Sequence, residues 1–413
     1  MRVLIVAPSL NVENNVSGLS VVANFIISHN KECEYEHFLQ GKSDGEKGTV
    51  KRIMRIWRNY GAWKKLMNEN EDENENGNGN EDENGNGNSK AVIHYNFPLD
   101  APSILRDFFF MRAAHKRKKR MVIHLHGGLY LFKEKKPFII RQFLKRIFKW
   151  DCPFIVLSNK EKEQIQKEYH TENISVLPNC VDLSVAESYT KVIVSHHLDI
   201  LYLGRIEPNN GMDFLYDALE QWKEEYDDFT LHFAGIEQGG NGYIGKYQQL
   251  LGERFVYEGV VAGEKKNELF RKCQIFILPS LYEGLPMSLL ETMSYGLVPI
   301  VTNVGSIGEY VKDQENGLLI KTSDTESIIK ALRCLSQDTD LLQKLSKAAR
   351  QTILMHFSPQ EYVSKLNQIY SYVNVNENEN QNENQNENQN ENQNENQNEN
   401  QNENENENHK GKG

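Results

Sequence analysis

Residues Gln274–Gly296 read QIFILPSLYEGLPMSLLETMSYG, and the chain is organised around this stretch. The apolar run to Leu278 is too short for a helix and predicts a strand buried on both faces. Pro279 and Ser280 end it. A turn with Gly284 follows, and Pro286 suits the first position of a helix. That helix is expected to reach about Tyr295, with Gly296 placed to stop it. Glu283 lies on the turn and Glu291 inside the helix, seven residues apart in between. A helix N-terminus entered through a Gly/Pro turn offers free amides and a positive dipole end to an anion such as a phosphate. A carboxylate at its lip can hold sugar hydroxyls. Any strand–turn–helix unit has such a turn, so the neighbouring chain decides what this one is for.

The same unit recurs on both sides. Downstream, a strand is expected at Val298–Val301, a short one at Gly317–Ile320, and helices at Thr325–Ser336 and Leu341–His356. Upstream, strands at Asp199–Leu203, Phe229–Ala234 and Phe255–Tyr257 alternate with helices at Met212–Trp222, Ile244–Leu251 and Glu264–Lys272. A first alternation occupies the N-terminal half. Its strands are expected at Arg2–Ala7, Glu34–Leu39, Ala91–Tyr95, Met121–Leu125, Phe154–Leu157 and Ile174–Leu177. Helices at Leu19–Ser28, Lys51–Met67, Ala101–Lys116 and Phe138–Lys149, and a charged helix before Ile174, join them. Alternating β and α elements predict parallel sheets in α/β domains. Two Rossmann-like halves result, residues 1–180 and 198–356, with a domain crossing in Asp182–His197. Ser358-Pro359-Gln360-Glu361 is a capping box that starts a final helix to about Tyr372, and residues 358–373 are expected to complete the first half. Ligands of such sheets lie at the carboxyl ends of the strands, which turns the opening stretch toward the cleft between the halves.

The net charge of −11 conceals a different body. Asn68–Ser89 carries eight acidic residues and no basic one, and 374–413 carries ten acidic residues and two lysines. Of 58 acidic and 47 basic residues in all, 40 and 45 remain outside these segments, a mildly basic body. Both segments are dominated by Asn and Glu, with almost no large apolar residue. They cannot bury enough surface to offset chain entropy and are expected to be disordered. The five cysteines are scattered, without a C-x-x-C, which argues against a disulfide scaffold or structural zinc and fits a cytoplasmic chain. MRVLIVAPS is too short an apolar run for a signal peptide, and no run approaches transmembrane length.

Several motifs carry alternatives. Arg205, after Gly204 at the end of the strand Asp199–Leu203, can clamp a diphosphate through two parallel charge-assisted bonds, or be a surface loop arginine. Gly240–Gly245 spells G-x-G-x-x-G, but begins five residues beyond its strand and in the second unit of its half, so a lid or base contact fits better than a dinucleotide fingerprint. Asp338-Thr339-Asp340 could hold a metal, but sits where helix capping explains it. His124 and His126 fall on one side of the strand Met121–Leu125 if it extends that far, with His126 at the cleft and His124 beneath it. The basic and aromatic region 115–150 is either an amphipathic helix packed on its sheet or a contact with an anionic membrane surface. Nucleic acid is disfavoured, because the basic residues are confined to one region.

Taken together, these residues resemble glycosyltransferase family 4, the retaining enzymes of GT-B fold. The resemblance runs from Met1 to about Val373 apart from the insertion. It rests most on Glu283 to Glu291 within PSLYEGLPMSLLETMSYGLVPIVTNVGSIGEYV, with Ser17-Gly18, His126-Gly127, Asn179-Cys180-Val181-Asp182, Gly204-Arg205 and Glu309. It implies a nucleotide-diphosphate-sugar donor, a UDP-sugar, held mainly by the second half. It implies a glycan or lipid-linked acceptor met by the first half, in polysaccharide, O-antigen or capsule assembly. Arg205 would bind the diphosphate, Glu283 the donor sugar and Glu291 the ribose. Amides in the run Gly284, Leu285, Pro286, Met287 and Ser288 (Pro286 itself has no N–H to give), and Gly18, would complete the phosphate cradle, and His126 would sit at the reaction centre. No metal or other cofactor is implied. Asn210 stands where the family normally has lysine, so one cation of the clamp is missing or comes from elsewhere. Charge developing on the leaving phosphate would be met by Arg205 and the helix amides. Acceptor attack on the leaving-group face, with the phosphate taking the proton, would give retention. A nucleotide-sugar epimerase of similar shape and a non-catalytic nucleotide-sugar-binding protein remain the alternatives.

Overall fold

Continuous Val/Ile/Leu/Phe runs separated by helical segments build two sheets whose inner strands are buried on both faces. The computed structural model describes residues 1–11, 17–41, 49–75, 91–193 and 197–374. The first half comprises β1 (Arg2–Ala7), α1 (Gly18–His29), β2 (Glu34–Leu39), α2 (Thr49–Glu75), β3 (Val92–Phe97), α3 (Ala101–Lys116), β4 (Met121–Leu125), α4 (Leu129–Phe132), α5 (Phe138–Ile147), β5 (Phe154–Val156), α6 (Asn159–Tyr169) and β6 (Ile174–Val176). The second comprises β7 (Leu198–Leu203), α7 (Met212–Trp222), β8 (Phe229–Ala234), α8 (Tyr243–Leu251), β9 (Phe255–Gly259), α9 (Gly263–Lys272), β10 (Ile275–Leu278), α10 (Met287–Ser294), β11 (Val298–Thr302), α11 (Ile307–Tyr310), β12 (Leu318–Ile320), α12 (Thr325–Gln337) and α13 (Thr339–His356). A last helix, α14, covers 359–374.

Each half contains a six-stranded parallel sheet, ordered β2-β1-β3-β4-β5-β6 and β12-β11-β10-β7-β8-β9. Every residue of β3, β4 and β10 is buried, the pattern that helices on both faces require. Strand order reverses between β1 and β3 and between β7 and β10, and a crevice opens beyond the carboxyl ends at such points. Ile200 pairs with Ile275, so the chain leaving β7 at Gly204-Arg205 lies beside the chain leaving β10 at Pro279. Side chains of α2, α3 and α5 share one core against the first sheet. The other core runs from α1 and α14 through the second half without a break.

Polar residues set the helix starts. Asp100 accepts from the Ser103 amide at 2.9 Å and Ser158 from the Glu161 amide at 3.2 Å. Ser358 accepts from the Glu361 amide, the near half of the capping box read from the sequence. The crossing is tied down at both ends. Cys180 donates to the Phe357 carbonyl, and Lys191 donates to the Phe270 and Arg271 carbonyls at the end of α9.

Three expectations are corrected. The helix expected over Lys51–Met67 continues to Glu75, so 68–75 of the segment expected to be disordered are helical; 76–89 lie outside the described residues. Asn, Glu and Asp there are tolerable helix formers, and no proline stops the helix. Asn374 closes α14, and the remainder of the 374–413 tail is likewise outside the described residues. Pro286 is the N-cap of α10, with extended backbone (ψ 131°), and not its first helical residue. The short helices α4 and α11 were not anticipated, since four residues carry no readable period.

Candidate functional site

The carboxyl edges of the two sheets face each other, and loops from both meet there. Gly127, just past β4, has φ +66°, and a Cβ on it would lie 2.3 Å from the Gly284 Cα. Gly305, after β11, is as tightly placed, 2.1 Å from the Glu283 carbonyl oxygen. Only glycine permits these approaches. Further along the seam, the Glu309 carboxylate accepts from the Asn159 side chain at 2.7 Å and from the Asn159 and Lys160 amides, capping α6 from the opposite half. Ser306 donates to Ser158, and Tyr310 to the Leu157 carbonyl. Asn179 donates to the Leu285 carbonyl at 2.7 Å.

Arg205 lies at the reversal point of the second sheet, half exposed, its guanidinium 3.2 Å from Glu207. Its backbone is held from below: Tyr202 donates its hydroxyl proton to the Arg205 carbonyl, and Asn210 donates to the same carbonyl at 2.9 Å. Asn210 is buried and also donates to the Tyr202 hydroxyl. Its side chain therefore points inward, and it is corrected from a donor-binding residue to a support of the Arg205 turn. Across the turn, Glu283 accepts from the Ser280 hydroxyl at 2.9 Å. Burial pushes its carboxyl up to about 6, against the opposing pull of Ser280 and Arg205.

His126 is aimed by Asn96, the residue the sequence reading missed. The Asn96 amide nitrogen donates to the Val6 carbonyl at 3.0 Å, so its oxygen faces His126 Nε2 at 2.7 Å. An amide oxygen only accepts, so His126 carries its proton on Nε2 and leaves Nδ1 as an acceptor. Burial, and then neighbouring His94, hold the imidazole down at about 3, so the ring is neutral. His124 packs behind it with ring centroids 4.1 Å apart, and His124 meets His94, which meets the Tyr370 hydroxyl at 2.6 Å. The available signal was one asparagine inside the buried strand VIHYNF, at the reversal point of the first sheet.

The other expected site residues divide. Gly284 and the α10 N-terminus stand at the seam, and Ser288 lies in the first turn of α10. The side chains of Leu285 and Met287 are buried in the core, which leaves only their backbone for a ligand. Glu291 is half-buried and accepts from Lys266 at 2.8 Å. Gly18 opens α1, which lies against α10 across the seam. In the G-x-G-x-x-G stretch, Glu237 accepts from the Tyr243 amide, so a carboxylate already occupies that helix end. Asp338 of the D-x-D accepts from the Leu341 amide and caps α13. In the 115–150 region, α5 buries Ile140, Leu144 and Ile147 against the first half, and Trp150 stacks on His115. A cavity of about 840 Å³ is lined by His29, Glu32 and residues of α14 and lies apart from this seam. No helix among the described residues is long and apolar enough to cross a membrane.

Comparison with known proteins adds four findings. Residues 190–352 match the family described as glycosyl transferases group 1. An Escherichia coli protein, UDP-Gal:alpha-D-GlcNAc-diphosphoundecaprenol alpha-1,3-galactosyltransferase, is 28% identical over 283 residues, covering 62% of this chain and 70% of that protein. Anabaena Alr3699/HepE, solved in complex with UDP, superposes with TM-score 0.66 at 14% identity, over 90% of this chain and all of that one. TarM superposes at 0.57 with 16% identity, over 69% of this chain, which spans about half (55%) of TarM.

Proposed function

We propose, for a chain of GT-B fold whose residues 190–352 form a glycosyl transferases group 1 domain, transfer of a sugar from a UDP-sugar to a lipid-diphosphate-linked glycan during cell-surface polysaccharide assembly. The carrying observation is the convergence of Arg205, the α10 N-terminus, Glu283 and His126 where the two carboxyl edges meet. The relative named for UDP-Gal and a diphosphoundecaprenol acceptor supports the donor and acceptor classes.

The donor diphosphate lies between the Arg205 guanidinium and the free amides of Met287 and Ser288. Both favour negative charge, and their advantage grows as the glycosidic bond breaks and charge builds on the leaving phosphate. Glu207 holds the guanidinium at 3.2 Å. The Glu283 carboxylate accepts from hydroxyls of the donor sugar, and Glu291, with Lys266, from the ribose. Neutral His126 accepts a hydrogen bond from a hydroxyl at Nδ1 and adds no positive charge beside the cationic sugar. The acceptor hydroxyl attacks from the leaving-group face, its proton passing to the departing phosphate, which retains the anomeric configuration. No metal takes part in this reading. The charge-stabilising groups are an arginine and amides, and Asp338 of the D-x-D is engaged at a helix end.

Arg205→Ala tests the clamp. A charge-assisted contact of about 1.5–3 kcal/mol predicts a loss of roughly tenfold to a hundredfold in kcat/KM with the UDP-sugar, with unfolding unchanged. Undiminished transfer would remove the clamp role. Incubation with donor alone separates the epimerase reading, which requires an epimerised nucleotide-sugar and no acceptor.

A further inference from the structure

One face of the first sheet carries a column of polar side chains through an otherwise apolar core. Val92, His94 and Asn96 follow one another up that face of β3, and Val122 and His124 up that face of β4, with His126 just past its end. The register pairs His94 with Val122 and Asn96 with His124, so the polar groups stand level with and above the valines. Val92 and Val122 share a core with α1 and with Tyr362, Leu366 and Tyr370 of α14, the helices that cover this face. His94 and His124 are fully buried. A buried polar side chain is costly unless it is hydrogen-bonded, and apolar residues fill the places just below.

The column is tied from its far end. The Tyr370 hydroxyl meets His94 Nδ1 at 2.6 Å, and His94 Nε2 meets His124 Nδ1 at 3.2 Å. The His124 ring lies against His126, with centroids 4.1 Å apart and planes at 37°. Asn30 donates to the Tyr35 hydroxyl at 2.9 Å and to Asn367 of α14 at 2.6 Å, which anchors the helix that carries Tyr370. Burial lowers His94 to about 4, opposed by Asn96, and holds His124 well below its ordinary value, so both rings are neutral at neutral pH. A neutral imidazole has one N–H, and each contact needs one donor. The column therefore has only two proton arrangements. Either Tyr370 donates to His94 and His94 to His124, or His124 donates to His94 and His94 to Tyr370. In both, the tautomer of His124 is fixed by the role that Tyr370 plays.

His126 has a use for such support. The Asn96 contact fixes it at Nε2, and a ring held at one nitrogen still tilts about that bond. A tilt carries Nδ1 away from the hydroxyl it meets in the transfer reaction. The His124 ring blocks the tilt only while its own plane is held. His94 holds it at Nδ1, and Tyr370 holds His94 in turn.

Given the sugar-transfer reading on which this rests, we propose that Tyr370, His94 and His124 are positioning residues, a strut that runs from α14 to His126 and holds the plane of its ring. None of the three touches substrate. Tyr362 supplies the contrast, about two turns earlier on the same helix. It is buried as well and packs edge-on to Phe25, but its hydroxyl has no hydrogen-bond partner among the described residues.

The test removes single hydroxyls from one helix of the full chain. Tyr370→Phe should lower kcat for transfer on the order of tenfold, short of the hundredfold that an ångström of displacement costs, with KM for the UDP-sugar unchanged. Tyr362→Phe should keep the parent kcat. His124→Phe leaves a ring behind His126 but cuts the column, so it should lower kcat by a similar factor. Adding Tyr370→Phe to it should lower kcat no further, because the two residues act through one chain of contacts. Histidine-selective nitrogen NMR gives a readout that does not depend on turnover. His94 and His124 should each show one tautomer in the parent, and Tyr370→Phe should turn both into mixtures. Equal losses in the two tyrosine variants, a loss confined to KM, additive losses in the double variant, or unchanged tautomers would each overturn the proposal. A parent that transfers no sugar would fail the donor reading and the strut with it, whereas any of those four outcomes in an active parent fails the strut alone.

Discussion

At the scale of single residues, the site depends on groups whose charge is set by their surroundings. Glu283 and His126 sit at one seam with opposite outcomes. Burial raises the carboxyl to about 6 and lowers the imidazole to about 3, so above neutrality one is an anion and the other uncharged. If ionised Glu283 accepts sugar hydroxyls, kcat/KM rises with pH through about 6, because the carboxylate forms as the proton leaves. Glu283→Gln should abolish that step as well as lowering the rate, which a pH–rate series measures; an unchanged inflection in the variant would assign it elsewhere. The E-x7-E pair was legible because both carboxylates lie in one unit of chain. Asn96 was not, since Val6 and His126, the partners that orient it, are remote in sequence. Asn210 was visible only as a departure; its inward hydrogen bonds are what the fold added.

At the scale of elements, the approach of the β4 loop to the β10 loop assembles the site. Gly127→Ala would push a methyl into the Gly284 backbone and strain a positive φ. A displacement near an ångström at a reacting centre costs on the order of a hundredfold in rate. The expected outcome is that loss in kcat with far-ultraviolet circular dichroism unchanged; wild-type turnover would show that the loops need not touch. The elements were largely readable because buried parallel strands write continuous apolar runs. Helix ends were less so: α2 outran its apolar period by a polar stretch that nothing in the local sequence forbids.

At the scale of the molecule, the halves are joined by polar contacts, buried at Ser158–Ser306 and exposed at Glu309. Ser158 meets Ser306, Glu309 caps α6, and Glu161 lies fully buried in the same corner with one carboxylate oxygen bonded to the Leu157 amide. Burial raises Glu161 to about 7, opposed by Leu157 and Ser306 and reinforced by Glu309. A carboxyl raised from its ordinary 4.5 stabilises the fold fully below that value and loses the contribution as pH climbs through 7. The Glu161→Gln variant lacks this ionisation. Its stability relative to the parent should increase by about 2–3 kcal/mol between pH 5 and pH 8 in urea unfolding. A difference independent of pH would show that the carboxyl stays accessible to water.

The sequence by itself determined the two α/β halves, the strand-to-helix turn with its two glutamates, and the arginine at the end of β7, because each follows from periodicity and turn chemistry within a few residues. Tertiary structure alone decided which loops touch, which nitrogen of His126 carries the proton, that Asn210 turns inward, and that Tyr370 of α14 reaches His94. These depend on strand order and on the approach of residues distant in the chain, and no local pattern encodes a distance of that kind.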